Sequence, residues 1–314
     1  MAYKYIFGPV FSNRLGLSLG LDLLGDKICS YDCLYCESGP TSIKSIKRRP
    51  YVPGQDILQE FEHWWRHAEY APEHITLGGV GEPCLNSDLG LIVSGVKKIA
   101  PDVPLAILTN SSLLGSSLIR KELAKCQVLL PSLDSLLARE FWVLNRPVVD
   151  MDPGRIAENI LTARKEFKGH IYLEVLLVRG LNDSEQNLNK MQEFCTELQA
   201  NRVDVMTMSR PGAHAQARPV QEETLQLWRE SLGAFSGTDK DCSVDPGRTG
   251  ISTQQLRNTV LNTLHRRPQT LEQMSAALNV HQSLLHTVLQ DLLQRKAVYI
   301  RELGHLKFFM LTRE

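Results

Sequence analysis

The chain has 314 residues, 43% of them hydrophobic, and it carries 35 basic and 35 acidic side chains. A chain of this length forms one large domain or two ordinary ones, and its balanced charge argues against binding nucleic acid or a membrane through overall charge alone. We find neither the apolar core of a secretory signal nor a run of about 18 apolar residues, so we expect a cytoplasmic protein that does not bind membranes. The seven cysteines are an odd number, which fits a disulfide framework poorly.

Segments with strand character alternate with segments of helical periodicity along most of the chain. Strands are predicted over residues 15–21, 74–77, 104–108, 127–130, 171–178 and 202–208. Helices are predicted over residues 57–68, 89–99, 117–125, 153–167, 184–198 and 220–232. This alternation predicts an α/β fold with a parallel sheet covered by helices. Six units are too few for a complete eightfold barrel, so we expect a partial (β/α)6 TIM-like barrel with its chemistry at the carboxyl ends of the strands.

The C-terminal part of the chain has a different pattern. Residues 1–235 form the predicted barrel domain, and residues 236–251, rich in turn-forming residues, form a predicted linker. Residues 252–314 predict three helices and then a β-hairpin, which is the order of a small winged helix-turn-helix domain. This last segment carries eight Arg and Lys against four Asp and Glu, a net charge of +4, so the rest of the chain carries −4.

Three cysteines lie close together in the segment C-S-Y-D-C-L-Y-C, just after the first predicted strand. Cys29, Cys33 and Cys36 are separated by three and two residues, so their thiolates can converge on one soft metal centre. A four-iron cluster normally takes four thiolates, and three would leave one iron open for a chelating ligand. The alternative is a structural zinc site with a fourth ligand. Candidates for that ligand are His63, His67, His74 and Cys84.

The cysteine spacing, with Tyr35 directly before the third cysteine, resembles the signature of the radical S-adenosylmethionine (SAM) superfamily. The resemblance implies that Cys29, Cys33 and Cys36 hold a [4Fe–4S] cluster, whose open iron chelates the methionine part of SAM. Reductive cleavage of SAM then gives a 5′-deoxyadenosyl radical that abstracts hydrogen from a substrate. In such enzymes the cofactor supplies the chemistry and the protein supplies orientation. An electron donor such as flavodoxin or ferredoxin is also implied.

A glycine-rich segment, GGVGEP, follows the second predicted strand. Glycines let the backbone approach a ligand closely, and a carboxylate is a suitable partner for an ammonium group. The segment resembles the second motif of the superfamily, which contacts the amino group of SAM, and this places the contacts on Gly79, Gly81 and Glu82. The alternative is a plain turn with a solvent-facing glutamate. Cys84 follows directly, either as a hydrogen-atom donor or, like most free cysteines, as a small buried side chain.

Polar side chains also lie at or near the ends of the later predicted strands. The resemblance implies that they contact the ribose and carboxylate of SAM; they are Asn110, Ser132, Asp134 and Glu174. The alternative for each is a helix cap or a turn residue. Arg14 precedes the first predicted strand and Arg210 follows the sixth. Both arginines are candidates for binding a carboxylate or phosphate of the substrate, although arginines as often form surface ion pairs.

The quoted motifs together resemble a subgroup related to wyosine-type tRNA-modifying synthases and to the branch that forms the molybdenum cofactor. Asn13, Ser111 and Cys84 depart from the residues expected in relatives, which are Arg, Gly and Thr. We expect a radical SAM enzyme whose winged helix delivers a macromolecule, with tRNA ahead of a peptide or protein. The third alternative is that the winged helix only packs on the barrel. The rival hypothesis is a zinc-stabilised nucleic-acid-binding regulator without catalysis.

Overall fold

The computed structural model describes residues 3–12, 14–68, 70–234, 253–278 and 280–312. The predicted linker over residues 236–251, the domain boundaries at residues 235 and 252, and Asn13 lie outside the described residues. Every helix within these ranges is too short or too polar to span a bilayer.

Seven strands form one sheet, and a short two-stranded pair is separate from it. In chain order the strands are β1 (Ile6–Ser12), β2 (Gly16–Asp22), β3 (Ile28–Cys29), β4 (Ile43–Lys44), β5 (His74–Gly78), β6 (Leu105–Thr109), β7 (Val128–Pro131), β8 (His170–Leu177) and β9 (Arg202–Thr207). The sheet has the order β1-β2-β5-β6-β7-β8-β9, with β1 antiparallel to β2 and the other neighbours parallel. Each predicted strand is present within one residue of its predicted ends. The sequential parallel order confirms the partial TIM-like barrel.

Helices connect the strands. They are α1 (Gly54–His67), α2 (Leu89–Ile99), α3 (Ser117–Leu123), α4 (Ala138–Asn145), α5 (Pro153–Glu166), α6 (Glu185–Leu198) and α7 (Glu222–Ser231), with a 3₁₀ turn at Pro83–Leu85. Asp152 caps α5 by accepting a hydrogen bond from the Gly154 amide at 3.1 Å. The sequence pattern does not predict β1 or α4. Gly8 and Pro9 interrupt the strand pattern of β1 and suit its edge position, and α4 has only eight residues.

The barrel has an apolar outer face and a polar inner face at its mouth. Successive side chains of a strand point to opposite faces. In β8, Leu173 and Val175 pack in the main core beneath the helices, whereas Glu174 between them lines a cavity at the mouth. Ser18 of β2 and Thr76 of β5 line the same cavity and are hydrogen-bonded to each other at 3.1 Å. Glu174 therefore faces the polar interior of the barrel mouth and not the covering helices.

Residues 253–312 form a second packed body, here called the C-terminal unit. Its elements are α8 (Thr253–Arg266), α9 (Leu271–Leu278), α10 (Gln282–Gln294), β10 (Val298–Leu303) and β11 (Leu306–Leu311), the last two forming an antiparallel hairpin. The unit has an apolar core separate from that of the barrel. Leu285, Val288 and Leu289 of α10 lie in this core, whereas Ser283 and His286 are exposed. The order of elements agrees with the sequence pattern.

Candidate cluster and cofactor site

Of the three clustered cysteines, Cys29 ends the short strand β3, and Cys33 and Cys36 lie in the loop that follows it. Each sulfur accepts a hydrogen bond from a nitrogen: Cys36 Sγ from Lys27 Nζ at 2.8 Å, Cys29 Sγ from Asn110 Nδ2 at 3.4 Å, and Cys33 Sγ from Asn145 Nδ2 at 3.4 Å. N–H donors directed at cysteine sulfurs stabilise the thiolate form and tune iron–sulfur clusters. The loop therefore fits a [4Fe–4S] cluster, which Cys29, Cys33 and Cys36 would hold.

The zinc alternative lacks support from the arrangement of side chains. Within the described ranges, the three cysteines are not arranged around one ion, and no His, Asp, Glu or further Cys side chain joins any two of them in such a group. A structural zinc ion needs four ligands around one point. The predicted fourth ligands therefore do not complete a zinc site with the cysteines in this part of the chain.

Lys27 is a site residue that the sequence analysis missed. Its side chain is buried beside the cysteine sulfurs. Burial alone would lower the pKa of Lys27, but the negative charge of the cysteine sulfurs and the hydrogen bond to Cys36 together raise it. Burial raises the pKa of the Cys29 thiol to about 11, and the charge of Lys27 opposes this rise. A buried ammonium thus lies where a cluster would concentrate negative charge, and a single lysine in a loop gives no pattern that predicts this.

The glycine-rich turn packs directly against the cysteine loop. A Cβ atom at Gly81 would lie 2.0 Å from the carbonyl oxygen of Ile28, and the Glu82 amide donates to the same oxygen at 3.1 Å. Gly79 has a φ of +127°, and a Cβ there would lie 2.8 Å from the carboxylate of Asp22. Gly79 lines the mouth cavity, whereas Gly81 is needed for the contact with the residue before Cys29.

Glu82 is buried, so the alternative of a solvent-facing glutamate is wrong. Its Oε1 accepts from the Cys84 amide at 3.1 Å and from Thr109 Oγ1 at 2.8 Å, and its Oε2 accepts from the Asn110 amide at 2.7 Å. Burial raises the pKa of Glu82, and these three donors oppose the rise. These hydrogen bonds hold the carboxylate in one orientation.

Cys84 and Ser111 fill tight positions behind this turn. The Cys84 side chain is completely buried, and burial raises the pKa of its thiol well above the usual value. This agrees with a small buried side chain rather than a reactive thiol. Ser111 has a φ of 68°, the left-handed conformation that favours glycine, and its Oγ donates to the Ser132 carbonyl at 2.9 Å. The expected glycine in relatives is explained by this backbone conformation.

Asp134 connects the cysteine loop to the strand ends. Its Oδ2 accepts from Tyr35 Oη at 2.5 Å and from Asn145 Nδ2 at 2.8 Å, and its Oδ1 accepts from the Leu176 amide at 3.0 Å. The same Asn145 amide nitrogen donates to Cys33 Sγ. Asp134 therefore holds Tyr35, the residue before the third cysteine, and Asn145, the donor to the second cysteine, a role for which the sequence offers no signal.

The structure pairs two residues that the sequence analysis assigned to different ligands. Arg14 forms an ion pair with Glu174, and Ser132 Oγ donates to the other carboxylate oxygen of Glu174 at 3.4 Å. Burial lowers the pKa of Arg14, and nearby Asp204 opposes this. The predicted roles of Arg14 toward substrate and of Glu174 toward SAM stay predictions.

Arg210 joins the barrel to the C-terminal unit. Its Nη1 donates to the Pro268 carbonyl at 2.8 Å and to the side chain of Gln273, and its Nε lies 3.5 Å from a carboxylate oxygen of Glu37. Burial lowers the pKa of Arg210 to about 10. The guanidinium is therefore a partner of the C-terminal unit, and a contact with substrate stays a prediction.

A cavity of about 1360 Å³ lies between the barrel mouth and the C-terminal unit. The predicted site residues that line it are Arg14, Tyr35, Cys36, Gly79, Ser132, Asp134, Glu174 and Arg210. The other predicted residues lie behind its wall: Cys29, Cys33, Gly81, Glu82 and Asn110. The C-terminal unit contributes Arg266, Arg267 and Gln269, which the sequence analysis did not select. The cavity exceeds the roughly 300–1,000 Å³ of common small-molecule sites, so it has room for a substrate group beside a cofactor.

Comparison with known proteins agrees with this site. Residues 27–191, more than half of the chain, match the family model described as the radical SAM superfamily. A UPF0026 protein of Methanocaldococcus jannaschii is 32% identical over 72% of each chain. A protein of Brachyspira hyodysenteriae named GTPase Obg is 29% identical over 93% of this chain, which spans only 43% of that relative. A radical SAM methyltransferase from Sphaerobacter thermophilus has a similar fold, with 15% identity, a TM-score of 0.52, and coverage of 69% of this chain and 63% of that one. The chain therefore belongs to the radical SAM superfamily, and it is an enzyme whose cofactors are a [4Fe–4S] cluster and SAM.

Proposed function

We propose that this radical SAM enzyme modifies RNA, with tRNA as the first candidate, and that one nucleotide of the RNA enters the cavity at the barrel mouth. The observation that carries the proposal is the position of Arg266 and Arg267, which the positively charged C-terminal unit places in the wall of this cavity. RNA offers phosphate charge along its whole backbone. Enzymes that act on a base move it out of its stack and into a pocket.

We interpret the C-terminal unit as a winged helix-turn-helix with α10 as its recognition helix. The exposed residues in its first half include Gln282, Ser283 and Thr287, and this half of the helix contains no Arg, Lys, Asp or Glu. Such a surface suits hydrogen bonds to exposed bases rather than attraction to a duplex backbone. The cation that would hold phosphate is Arg267, directly after α8 in the cavity wall, because Arg266 already donates to the Lys4 carbonyl at 3.1 Å and lies over the Phe7 ring.

The residues of this chain divide the work in the proposed reaction. When bound, the cluster and SAM supply the radical that abstracts hydrogen from the substrate. Cys29, Cys33 and Cys36 hold the cluster, and Glu82 offers a fixed carboxylate to the ammonium group of SAM. Asp134 keeps the cysteine loop in position. We also propose a cytoplasmic location, where thiols stay reduced, with flavodoxin or ferredoxin as the electron donor.

The test is the dependence of SAM cleavage on RNA. Protein reconstituted anaerobically with iron and sulfide is given SAM and dithionite, together with unmodified tRNA transcripts, a tryptic digest of cellular protein, or no substrate. We expect tRNA to raise the yield of 5′-deoxyadenosine above that without substrate, and to acquire a nucleoside of changed mass. Cys33→Ala, the control, should release no 5′-deoxyadenosine. Stimulation by the peptides and not by tRNA would overturn the RNA proposal in favour of peptide or protein modification.

A further inference from the structure

We infer that Arg267 and Gln269 of the C-terminal unit form an anion-binding subsite of the mouth cavity, which takes a phosphate of the substrate and a hydrogen-bond donor next to it. This inference rests on the proposed function in assigning the phosphate to RNA. The subsite lies in the segment between α8 and α9, and both residues line the cavity.

The balance of charge at the cavity leaves Arg267 uncompensated. The guanidinium of Arg14 is paired with Glu174, and that of Arg210 lies 3.5 Å from Glu37. Arg267 is half-buried, and its side chain forms no hydrogen bond or ion pair with any residue in the described ranges. A cation without a partner in a partly desolvated cavity attracts an anion strongly.

Arg267 lies close enough to the other two arginines to affect them. Besides burial, which is the main cause, the charge of Arg267 helps to lower the pKa of both Arg14 and Arg210. Arg267 thus repels both Arg14 and Arg210, and an anion bound at Arg267 relieves this repulsion. Guanidinium groups bind phosphate and carboxylate through two parallel N–H bonds, so either anion has the required chemistry.

Gln269 supplies the second part of the subsite. Its side chain is 3% exposed, and its Oε1 is buried with no hydrogen-bond partner among the described residues. A buried carbonyl oxygen without a donor costs about 1–3 kcal/mol. A ligand with a hydroxyl or N–H group beside its anionic group would remove this cost. A ribose phosphate has that combination, because the 2′-hydroxyl donates a hydrogen bond near the phosphate.

The same cavity contains Cys36 and Gly79 at the barrel side. A nucleotide whose phosphate is held by Arg267 can therefore extend toward the cofactor without leaving the cavity. The contact between the phosphate and Arg267 would then position the reacting group of the nucleotide. Binding energy gained far from the reacting atoms contributes to the reaction rate in this way.

The experiment compares Arg267→Gln with Arg155→Gln in the cluster-loaded full chain. Arg155 is exposed at the start of α5 and does not line the cavity, so its variant loses the same charge elsewhere. The Kd for a tRNA transcript is measured by fluorescence anisotropy over a series of salt concentrations. We expect Arg267→Gln to weaken binding about tenfold or more and to reduce the salt slope by about one. Arg155→Gln should bind within about twofold of the wild type.

A second arm separates the subsite from the RNA proposal. Thermal stability of the same proteins is measured with inorganic phosphate and with a glutamate-rich peptide. Stabilisation of the wild type by either anion, lost in Arg267→Gln, supports the subsite even if tRNA fails to bind, and the peptide result then names the other substrate class. Equal tRNA affinity of Arg267→Gln and wild type, or equal stabilisation of both by phosphate and peptide, would overturn the subsite.

Discussion

Replacing Gly81 with alanine tests the assignment of this glycine to the packing of the cysteine loop. The added Cβ would lie 2.0 Å from the Ile28 carbonyl oxygen and 2.6 Å from a methyl group of Leu24. Because the oxygen belongs to the backbone beside Cys29, relief requires the loop itself to move by an ångström or more. Overpacking costs about 1–3 kcal/mol, and loss of the hydrogen bond from the Glu82 amide adds about 1 kcal/mol. We expect the free energy of unfolding of the cluster-free protein to fall by about 3 kcal/mol.

Urea unfolding measures this loss, and iron analysis after reconstitution measures its effect on the site. We expect Gly81→Ala to bind less than half of the iron that the wild type binds. Gly78→Ala, at the end of β5, is the matched control, because the nearest atom to its new Cβ, in Leu108, is 3.9 Å away. It should change stability by no more than about 0.5 kcal/mol. Normal stability and iron content in Gly81→Ala, combined with weaker SAM binding, would show that the glycine acts on SAM alone and would refute the packing argument.

Other changes near the site have measurable consequences. Lys27→Met removes a buried positive charge and the N–H donor to Cys36 Sγ. We expect the reduction potential of the cluster to fall by about 60 mV, which corresponds to about 1.4 kcal/mol. A redox titration followed by EPR measures this potential. Lys27→Arg should keep most of the potential, and an unchanged potential in Lys27→Met would contradict the electrostatic role. Tyr35→Phe removes a buried hydrogen bond to Asp134, and urea unfolding should show that the free energy of unfolding falls by about 2 kcal/mol. A fall of less than about 0.5 kcal/mol would contradict a stabilising role of this hydrogen bond. Burial raises the pKa of Cys126 and Cys195 to about 12, so at pH 8 only about one molecule in ten thousand carries either thiolate. Mass spectrometry should find both unreacted with iodoacetamide until the protein is unfolded, and rapid labelling of the folded protein would show the pKa assignment to be wrong.

The sequence predicted the parts of the fold that local patterns encode. Six strands were predicted within one residue of their ends, because runs of apolar residues are bounded by turns and polar residues. The cysteine triplet and the glycine-rich turn were found for the same reason, since both are short and contiguous. β1 escaped prediction because Gly8 and Pro9 break its pattern, and its place at the sheet edge comes from pairing with β2.

Contacts between distant parts of the chain could not be predicted. Arg14 and Glu174 are 160 residues apart, so each was interpreted alone, and the structure shows them as a pair. The donor to Cys33 is Asn145, which is 112 residues away on a helix that the pattern did not predict. Lys27 gave no signal because a single buried lysine matches no motif. The chemistry of the site was thus visible in the sequence, while the groups that adjust its charge were not.

The segment that follows β9 links the C-terminal unit to the cysteine loop. Gly212 packs so closely on this loop that a Cβ there would lie 2.8 Å from the Cα of Tyr35, and its carbonyl accepts from Arg301 of the C-terminal unit at 3.1 Å. Two residues earlier, Arg210 donates to the Pro268 carbonyl. The unit has its own core, yet its position depends on the backbone that supports Cys36. Because the unit also forms one wall of the cavity, the contacts that join it to the cysteine loop also set the position of that wall over the barrel mouth.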